Sequence, residues 1–277
     1  MDKTLKKYIE KNTCTPSPLD TRDYSIECLD RLAVKIPETF QLRGMKVLNQ
    51  GFIGSCVAHA CATAMGYGEL VNNLPTHNFS RGFIYGYRED EKCAGEGMHT
   101  RHALKQLLHY GDCEYYDFPY NEKYPDVKAK IDKNKDFLIK KAEPFKIKKY
   151  FRCNSNEEVK EALMTIGAVV ICVPLYDNFA SECPLPPADA EPEGHHAMCV
   201  VGWDKTGWII QNSWSALWGK KGGFVHLPYD YPISEFWGIE INTNIPAPTK
   251  ETFGLKLTCM IKRIISKIKI FLKGAKE

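Results

Sequence analysis

The spacing of apolar residues predicts helices in the first half of the chain. Residues 54–65 are small and apolar on nearly every side, which indicates a helix buried in the interior rather than one on the surface. A second helix is predicted at residues 98–110, where four apolar residues share a face and Gly111 follows as the C-terminal stop. Residues 121–150 carry ten lysines and five acids, a pattern typical of a solvated surface helix and linker.

The second half of the chain favours strands. A short helix around Val159 and Leu163 precedes an unbroken apolar run at residues 168–173, which predicts a buried strand. Two further strands are predicted at residues 197–203 and 208–211. Because the helices come first and the strands second, the sequence indicates an α+β fold with segregated halves.

These patterns divide the 277 residues into three segments. Residues 1–33 are polar and contain a turn-rich stretch, so we expect an N-terminal extension in the form of an extended arm. The central domain is expected at residues 34–247, with a mainly helical half at 34–145 and a mainly β half at 146–247. Residues 248–277 are expected to form a separate basic tail.

The tail has the pattern of an amphipathic helix. Six aliphatic residues share one helical face within residues 253–277, where seven lysine or arginine residues accompany a single acid. This pattern predicts peripheral contact with an anionic membrane or with an acidic partner. A helix that folds back onto the domain would show the same pattern, and both alternatives stay open. No apolar run reaches the roughly 18 residues of a membrane span.

Composition and charge exclude several classes of function. Lysine and arginine (37) barely exceed aspartate and glutamate (34), and no aromatic platform accompanies the lysine-rich segment, so we expect no nucleic-acid partner. Eleven cysteines are too few for a disulfide scaffold, and an odd number cannot pair completely within one chain. The first residues lead into polar sequence rather than an apolar signal core, so we expect a cytoplasmic or otherwise intracellular protein.

The cysteines and histidines give no convincing metal site. Cys56, His59 and Cys61 are close in sequence, but residues five apart on a helix point about 140° away from each other. Cys56 and Cys61 therefore do not share an ion easily, and we expect His59 to hydrogen-bond within the core. Cys172 and Cys199 lie in apolar strands, where inert core thiols are expected. We expect neither a metal nor another cofactor.

One cysteine has the surroundings of a nucleophile. Cys56 follows a Gly-Ser pair at the start of the predicted buried helix, where free backbone N–H groups and the positive end of the dipole stabilise a thiolate. His196, at the mouth of a predicted strand, is a candidate base. Asn212 is a candidate to orient the imidazole, and the side-chain amide of Gln50 is a candidate donor to an oxyanion.

These candidates lie within longer motifs. The motifs are Gln50-Gly51-x-x-Gly54-Ser55-Cys56-x-Ala58, His196-Ala197 with Val201-Gly202, Asn212-Ser213-Trp214-x-x-x-Trp218-Gly219-x-x-Gly222-Gly223-Phe224 and Ile36-Pro37-Glu38-Thr39-Phe40. In this order and spacing they closely resemble the papain/cathepsin-like cysteine peptidases. The resemblance covers about residues 36–241. Three further segments, at 18–24, 98–111 and 234–237, resemble the divergent microbial and viral branch of the family.

The resemblance implies a papain-like fold and peptidase chemistry. A helical half and a β-barrel-like half would enclose the active site in the cleft between them. By similarity, the enzyme would hydrolyse peptide bonds through a thioacyl intermediate on Cys56. His196 would be the general acid and base, Asn212 would orient its ring, and Gln50 would donate to the oxyanion. In this family the cysteine and histidine exist largely as a thiolate–imidazolium pair.

The resemblance also implies how a substrate would be held. The substrate would be a polypeptide, and we expect the enzyme to be a monomer. Gly97 and Met98 occupy the region where the family builds the wall of its main specificity pocket, so they are predicted substrate-binding residues. Trp214 joins this set, and its indole would shield the hydrogen bond between Asn212 and His196 from water.

Three departures from the family pattern leave alternatives open. Ile53 stands where secreted members carry a disulfide cysteine, which fits an intracellular protein. His195 stands where the residue before the base is usually Asp or Asn, so His195 is an alternative base and could shift the pH profile. The extension of residues 1–33 is far shorter than a cathepsin propeptide. Control of the zymogen by that mechanism is therefore not expected, although the extension could touch the cleft.

Two other functions remain compatible with these residues. The chain could be a non-catalytic pseudopeptidase that keeps the fold and binds peptides. Alternatively, the same thiol could serve another acyl transfer, as a deamidase, a transamidase or an isopeptidase, because the chemistry is shared up to the acyl-enzyme.

Overall fold

A computed structural model of the chain describes the central domain and part of the N-terminal extension. The described residues are 6–7, 14–28, 35–88, 96–119 and 124–245. The chain divides into two compact units, Met1–Thr243 and Asn244–Glu277, and the elements discussed below belong to the first unit. The amphipathic helix predicted at 253–277 lies outside the described residues.

The described residues contain six α-helices and nine β-strands. The helices are α1 (Cys56–Val71), α2 (Arg81–Gly86), α3 (Thr100–His109), α4 (Tyr124–Lys133), α5 (Lys135–Ala142) and α6 (Asn156–Thr165). The strands are β1 (Cys14–Thr15), β2 (Phe40–Gln41), β3 (Met98–His99), β4 (Ile147–Cys153), β5 (Val169–Leu175), β6 (Gly194–Trp203), β7 (Gly207–Gln211), β8 (Phe224–Pro228) and β9 (Glu235–Ile241). None of these helices is long and apolar enough to cross a membrane.

The predicted elements of the central domain are present, with small shifts at their ends. α1 and α3 match the helices predicted at 54–65 and 98–110, and β5, β6 and β7 match the three predicted strands. β4, β8 and β9 are additional strands that the sequence pattern did not predict. Helices dominate the first half and strands the second, so the predicted α+β class is confirmed.

One antiparallel sheet organises the second half of the domain. Its strands follow the order β4-β9-β5-β6-β7-β8, and β2 pairs with β6 outside this path. At the centre of the sheet, Cys172 of β5 lies opposite Ala197 of β6, and Val173 lies opposite His196. β4 and β8 are the two ends of the described sheet, so the barrel-like half is an open sheet rather than a closed barrel.

Both faces of this sheet are buried, and alternate residues of β6 belong to different cores. Ala197, Cys199 and Val201 pack in the core that contains α1. Met198 and Val200 pack in the second core, which contains α6 and several tryptophans. This two-sided burial explains why the strand is a continuous apolar run rather than an alternating one.

α1 lies close against the sheet because its side chains are small. The thiol of Cys199 in β6 donates a hydrogen bond of 3.0 Å to the carbonyl oxygen of Ala60. About two turns further along, the hydroxyl of Tyr67 donates a bond of 2.7 Å to Oε1 of Gln211 in β7. These contacts fix the N-terminal end of α1, where Cys56 lies, relative to the strands of the sheet.

Part of the N-terminal extension, which we call the arm (residues 14–28), lies on the central domain. Its strand β1 pairs in parallel with β3, so that Cys14 lies opposite Met98. A β-bridge joins Ser25 to β4, and Ile26 is fully buried in the core on the far face of the sheet. The arm is therefore packed against the domain along its length.

We expect Gly167→Ala to destabilise the domain at the contact between α1 and the turn before β5. Gly167 has φ of +104°, and a Cβ there would lie 2.9 Å from the backbone carbon of Tyr67 and 3.0 Å from the nitrogen of Gly68. Because backbone atoms cannot rotate away and this φ disfavours any side chain, the free energy of unfolding should fall by about 2–3 kcal/mol. Urea titration measures this loss.

The matched control is Gly222→Ala. Gly222 also has positive φ (+65°), but a Cβ there would meet nothing closer than the carbonyl oxygen of Ala216 at 4.0 Å. Only the backbone preference is lost, so the expected decrease is about 1 kcal/mol. Equal decreases in the two variants would show that the close approach of Gly167 to α1 contributes nothing.

Candidate active site

Cys56, His196 and Asn212 form one series of neighbouring side chains. Cys56 is the first residue of α1, and its thiol lies beside the ring of His196 near the start of β6, while Nδ1 of that ring makes no hydrogen bond to any described residue in this state. On the other side of the ring, Nε2 of His196 donates to Oδ1 of Asn212 at 2.8 Å. The same oxygen accepts the backbone N–H of Ser213 at 2.7 Å, which fixes the orientation of the amide. An oxygen at this position requires the proton on Nε2 and so selects the tautomer.

Aromatic rings cover this series. The indole of Trp214 stacks on the ring of His196, with centroids 4.6 Å apart and planes at 22°, and is only 1% exposed. Trp218 packs edge-on against Trp214, and Phe179 contacts both tryptophans. Because this cover excludes water, the hydrogen bond between His196 and Asn212 lies in a region of low dielectric, where it is stronger.

The amide of Gln50 is held on both sides. Its Oε1 accepts a hydrogen bond of 2.6 Å from the hydroxyl of Ser213, and its Nε2 donates to the carbonyl oxygen of Ile53 at 3.0 Å. The backbone N–H of Gln50 also donates to the carbonyl oxygen of Ser213. These bonds connect the loop before α1 to the segment after β7 that carries Asn212. The four residues predicted from sequence thus lie on three neighbouring segments: Gln50 and Cys56 on the first, His196 on β6 and Asn212 after β7.

Comparison with known proteins decides the family. The model of the papain family cysteine proteases matches residues 36–241. The chain belongs to the papain family of cysteine proteases. An uncharacterised peptidase C1-like protein of Acanthamoeba polyphaga mimivirus is 30% identical over 227 residues, which cover 72% of this chain and 70% of that protein.

Solved structures of papain-family enzymes share the fold. Xylellain, a cysteine protease from Xylella fastidiosa, matches with a TM-score of 0.72 and 27% identity over 83% of this chain and 95% of its own. Bromelain from Ananas comosus, in complex with the inhibitor E64, matches with a TM-score of 0.57 and 17% identity over 75% and 100% of the two chains. The predicted papain-like fold is confirmed.

The two neighbouring histidines of this papain-family domain occupy different surroundings. His196 is fully buried and bonds to Asn212, whereas His195 is half-buried and lies opposite Pro174 of β5. Burial lowers the pKa of His195, while the nearby carboxylate of Glu235 opposes that change. The structure therefore brings His196, and not His195, into contact with Asn212.

The described residues contain no group of three or more His, Cys, Asp or Glu side chains arranged to hold a metal ion. His59, which lies between two cysteines in the sequence, has its Nδ1 2.9 Å from the carbonyl oxygen of Ser55. Burial lowers the pKa of His59 to about 3, so the ring is neutral and Nδ1 donates to that carbonyl. His59 is thus a hydrogen-bonded core residue.

The arm covers the predicted nucleophile. Cys56 and His196 have no exposed surface, and the side chain of Cys14 contacts the thiol of Cys56. The backbone of Cys14 pairs with Met98, so the arm lies along this predicted substrate-binding residue. A strand that pairs with an edge in this way occupies the position that an extended peptide would take. The N-terminal extension therefore does contact the site.

Buried polar contacts hold the arm in place. Arg101 of α3 binds both carboxylate oxygens of Asp23, with Nε at 2.8 Å and Nη2 at 2.5 Å. The backbone N–H of Ser17 donates to the carboxylate of Glu235 at 2.9 Å. Nη2 of Arg152 in β4 lies 3.4 Å from the same carboxylate and forms an ion pair with it. Paired guanidinium and carboxylate groups of this kind are strong only while both partners are present.

Sequence reasoning missed these arm-binding residues. Glu235 is an acid inside an apolar stretch that becomes β9, and its side chain is fully buried. A buried carboxylate needs a polar or charged partner. An acid within an apolar stretch of the sequence was therefore the available sign that Glu235 binds another segment. Asp23 and Arg101 gave no such signal, because neither lies in an apolar segment and 78 residues separate them.

Burial under the arm makes Cys56 a neutral thiol. Burial is the largest influence and raises the pKa of Cys56 well above its usual value, and the contact with Cys14 raises it further. The neighbouring ring of His196 lowers the pKa, but this influence does not outweigh desolvation. The thiolate–imidazolium pair implied by the family resemblance therefore requires the arm to leave.

We expect Asp23→Asn to release the arm and make Cys56 more reactive. The substitution leaves the buried guanidinium of Arg101 without its anionic partner, which costs about 3–5 kcal/mol while the arm stays in place. When the arm leaves, water reaches the thiol, the pKa of Cys56 falls and its thiolate fraction at pH 7 rises. Alkylation by iodoacetamide at pH 7 should become at least about tenfold faster, as measured by mass spectrometry of the Cys56 peptide.

The control is Asp20→Asn, a substitution of the same type in the same arm. Asp20 pairs with Arg22 at the surface, where the arginine side chain is 84% exposed. Loss of an exposed pair changes stability by at most about 1 kcal/mol, so the rate should stay near that of the unchanged protein. Identical rates in the Asp23 and Asp20 variants would contradict the role of the buried pair.

Proposed function

We propose that the chain is a papain-like cysteine endopeptidase that hydrolyses polypeptides through a thioacyl-enzyme intermediate. The observation that carries the proposal is the position of His196, whose ring lies beside the thiol of Cys56 on one side and bonds to Asn212 at 2.8 Å on the other. An imidazole between a thiol and a fixed acceptor can take a proton from sulfur and deliver it to a leaving group. Membership of the papain family supports the same function.

The reaction would begin once the arm has left the site. The thiolate of Cys56 attacks the carbonyl carbon of the substrate, and the carbonyl oxygen becomes an oxyanion. The donors proposed for this oxyanion are the backbone N–H of Cys56 and Nε2 of Gln50. The imidazolium of His196 protonates the amine as the C–N bond breaks. Water, deprotonated by His196, then attacks the thioester and restores the thiol.

An extended substrate would bind where β1 now lies. The backbone of Met98 pairs with the arm at this edge, so we assign Gly97 and Met98 to the substrate-binding wall through their main chain. Trp214 is 1% exposed and offers a substrate little surface, so we assign it to shielding His196. The monomeric state, the intracellular location and the contacts of the tail remain predictions from the sequence.

Two competing functions differ from peptide hydrolysis in the products that they form. A non-catalytic peptide-binding protein would leave a peptide unchanged. A deamidase, transamidase or isopeptidase would form the same acyl-enzyme but would leave the main chain of the peptide intact. Hydrolysis of a main-chain bond adds one water, divided over two fragments, so mass spectrometry of the products separates these functions.

We expect Cys56→Ala to abolish both peptide cleavage and covalent labelling by an epoxysuccinyl inhibitor of the E64 type, because Cys56 is the thiol that lies beside the ring of His196. The matched control is Cys61→Ala, which removes another fully buried thiol of the same helix and should leave labelling stoichiometric. Both variants are made in the full chain and in the Asp23→Asn background, so that a closed arm does not hide the nucleophile. Full cleavage by the Cys56 variant would overturn the proposal. So would a failure of the Asp23→Asn protein that keeps Cys56 to become labelled.

We expect Gln50→Ala to lower kcat by about 10²-fold or more and to leave KM within a few-fold, because an oxyanion donor acts mainly in the transition state. Ser213→Ala is the control, since it removes only the hydroxyl that bonds to Oε1 of Gln50. The side-chain amide of Gln50 stays in place. The expected loss in kcat for this control is less than about tenfold. A larger loss for the serine variant than for the glutamine variant would indicate a structural role for Gln50.

A further inference from the structure

Three cysteine sulfurs from different parts of the chain meet at the candidate active site. Cys14 belongs to the arm, Cys56 to α1 and Cys172 to the central strand β5. The thiol of Cys14 donates a hydrogen bond to the sulfur of Cys172 at 2.9 Å and also contacts Cys56. The proposed peptidase mechanism uses Cys56 alone. It leaves the close contact between Cys14 and Cys172 without a role.

Cys172 is the fixed partner in this contact. It lies between two neighbouring strands, opposite Ala197 of β6 and Glu235 of β9, and is fully buried. Cys14 lies in a strand of two residues at the end of the described arm. A disulfide has an S–S distance of about 2.05 Å, so the two sulfurs need to approach by less than about 1 Å. Movement of the arm alone can supply this displacement.

The sequence analysis treated Cys172 as an inert core thiol because its strand is apolar. The structure gives it a sulfur neighbour 158 residues away in the chain, at the point where the arm crosses the sheet. A cross-link between these residues would join the arm to the centre of the domain rather than to its edge. It would also close a long loop, and such loops restrict the unfolded chain most.

We propose that Cys14 and Cys172 are a thiol–disulfide exchange site, which takes a low-molecular-weight disulfide such as oxidised glutathione and tethers the arm over Cys56. While the arm is lifted, the thiolate of Cys14 attacks one sulfur of the small disulfide, breaks its S–S bond and releases one small thiolate. As the arm returns, but before it closes over the site and excludes water, the thiolate of Cys172 attacks the sulfur of Cys14 and expels the second small thiolate. Two cysteine thiols are oxidised, one disulfide is reduced to two thiols, and the two protons pass to the released thiolates.

Exchange requires the lifted state for a physical reason. Burial raises the pKa of Cys14 well above its usual value while the arm is down, and only a thiolate attacks a disulfide. In the closed state the tether then keeps Cys56 covered, because the arm can no longer diffuse away. The effect on substrate access rests on the proposed function, whereas the disulfide itself does not.

The first experiment maps the bond in the absence of the competing nucleophile. The full chain with Cys56→Ala is incubated with oxidised glutathione, quenched by alkylation and digested without reduction. We expect a peptide that contains Cys14 joined to a peptide that contains Cys172, and reductant should separate them. Adding Cys14→Ser should abolish the link, whereas adding Cys199→Ser, another buried thiol in the neighbouring strand, should keep it.

The second experiment measures what the bond does to Cys56. The protein with its native cysteines is treated with oxidised glutathione, and only molecules whose intact mass shows no bound glutathione are compared. In these molecules the epoxysuccinyl inhibitor should label Cys56 at least about tenfold more slowly than before oxidation. Reductant should restore the rate, and Cys14→Ser should remove the difference. Failure to recover the Cys14–Cys172 peptide, or a Cys14–Cys56 link in its place, would overturn the proposal. Because the mapping needs no peptidase activity, its failure is distinguishable from failure of the proposed function.

Discussion

The close packing of α1 on β6 is the constraint on which the rest of the site depends. Small side chains along α1 let the carbonyl of Ala60 come within 3.0 Å of the thiol of Cys199, and this contact sets the distance between the helix and the strand. Cys56 belongs to the helix and His196 to the strand, so this separation sets how close the thiol lies to the imidazole. A displacement of about 1 Å can reduce catalysis about 10²-fold, so a bulkier helix would lose the chemistry before it lost the fold.

Access to the site and ionisation of its thiol are coupled by the arm. The segment that prevents a peptide from reaching Cys56 also removes water from the sulfur, and that desolvation raises its pKa. The neighbouring ring of His196 lowers the pKa of this thiol, and we expect its influence to dominate once water returns to the sulfur. The closed protein is thus protected twice, since its nucleophile is both covered and neutral, and a single movement reverses both effects.

Much of the site could be predicted from sequence because its chemistry depends on residue type and order. Cys56, His196 and Asn212 stand at the ends of strongly patterned elements, and the structure brings them together. β4 was missed because its start contains two consecutive lysines, Lys148 and Lys149, inside a basic region that resembled a surface linker. The position of the arm was missed for a different reason. It depends on pairs such as Asp23 with Arg101, which are distant in sequence and leave no local periodicity.

The two kinds of contact in this domain differ in how easily they can be reversed. α1 and the sheet are joined by apolar surface, and exposing this surface to water is unfavourable. We therefore expect their packing to persist when the arm opens. The arm is held largely by buried charged groups such as Asp23 and Glu235, whose desolvation offsets most of their attraction. Such contacts fix where the arm lies without making its departure costly. A segment held in this way can open during function, and only a covalent bond at Cys14 would make its closure persistent.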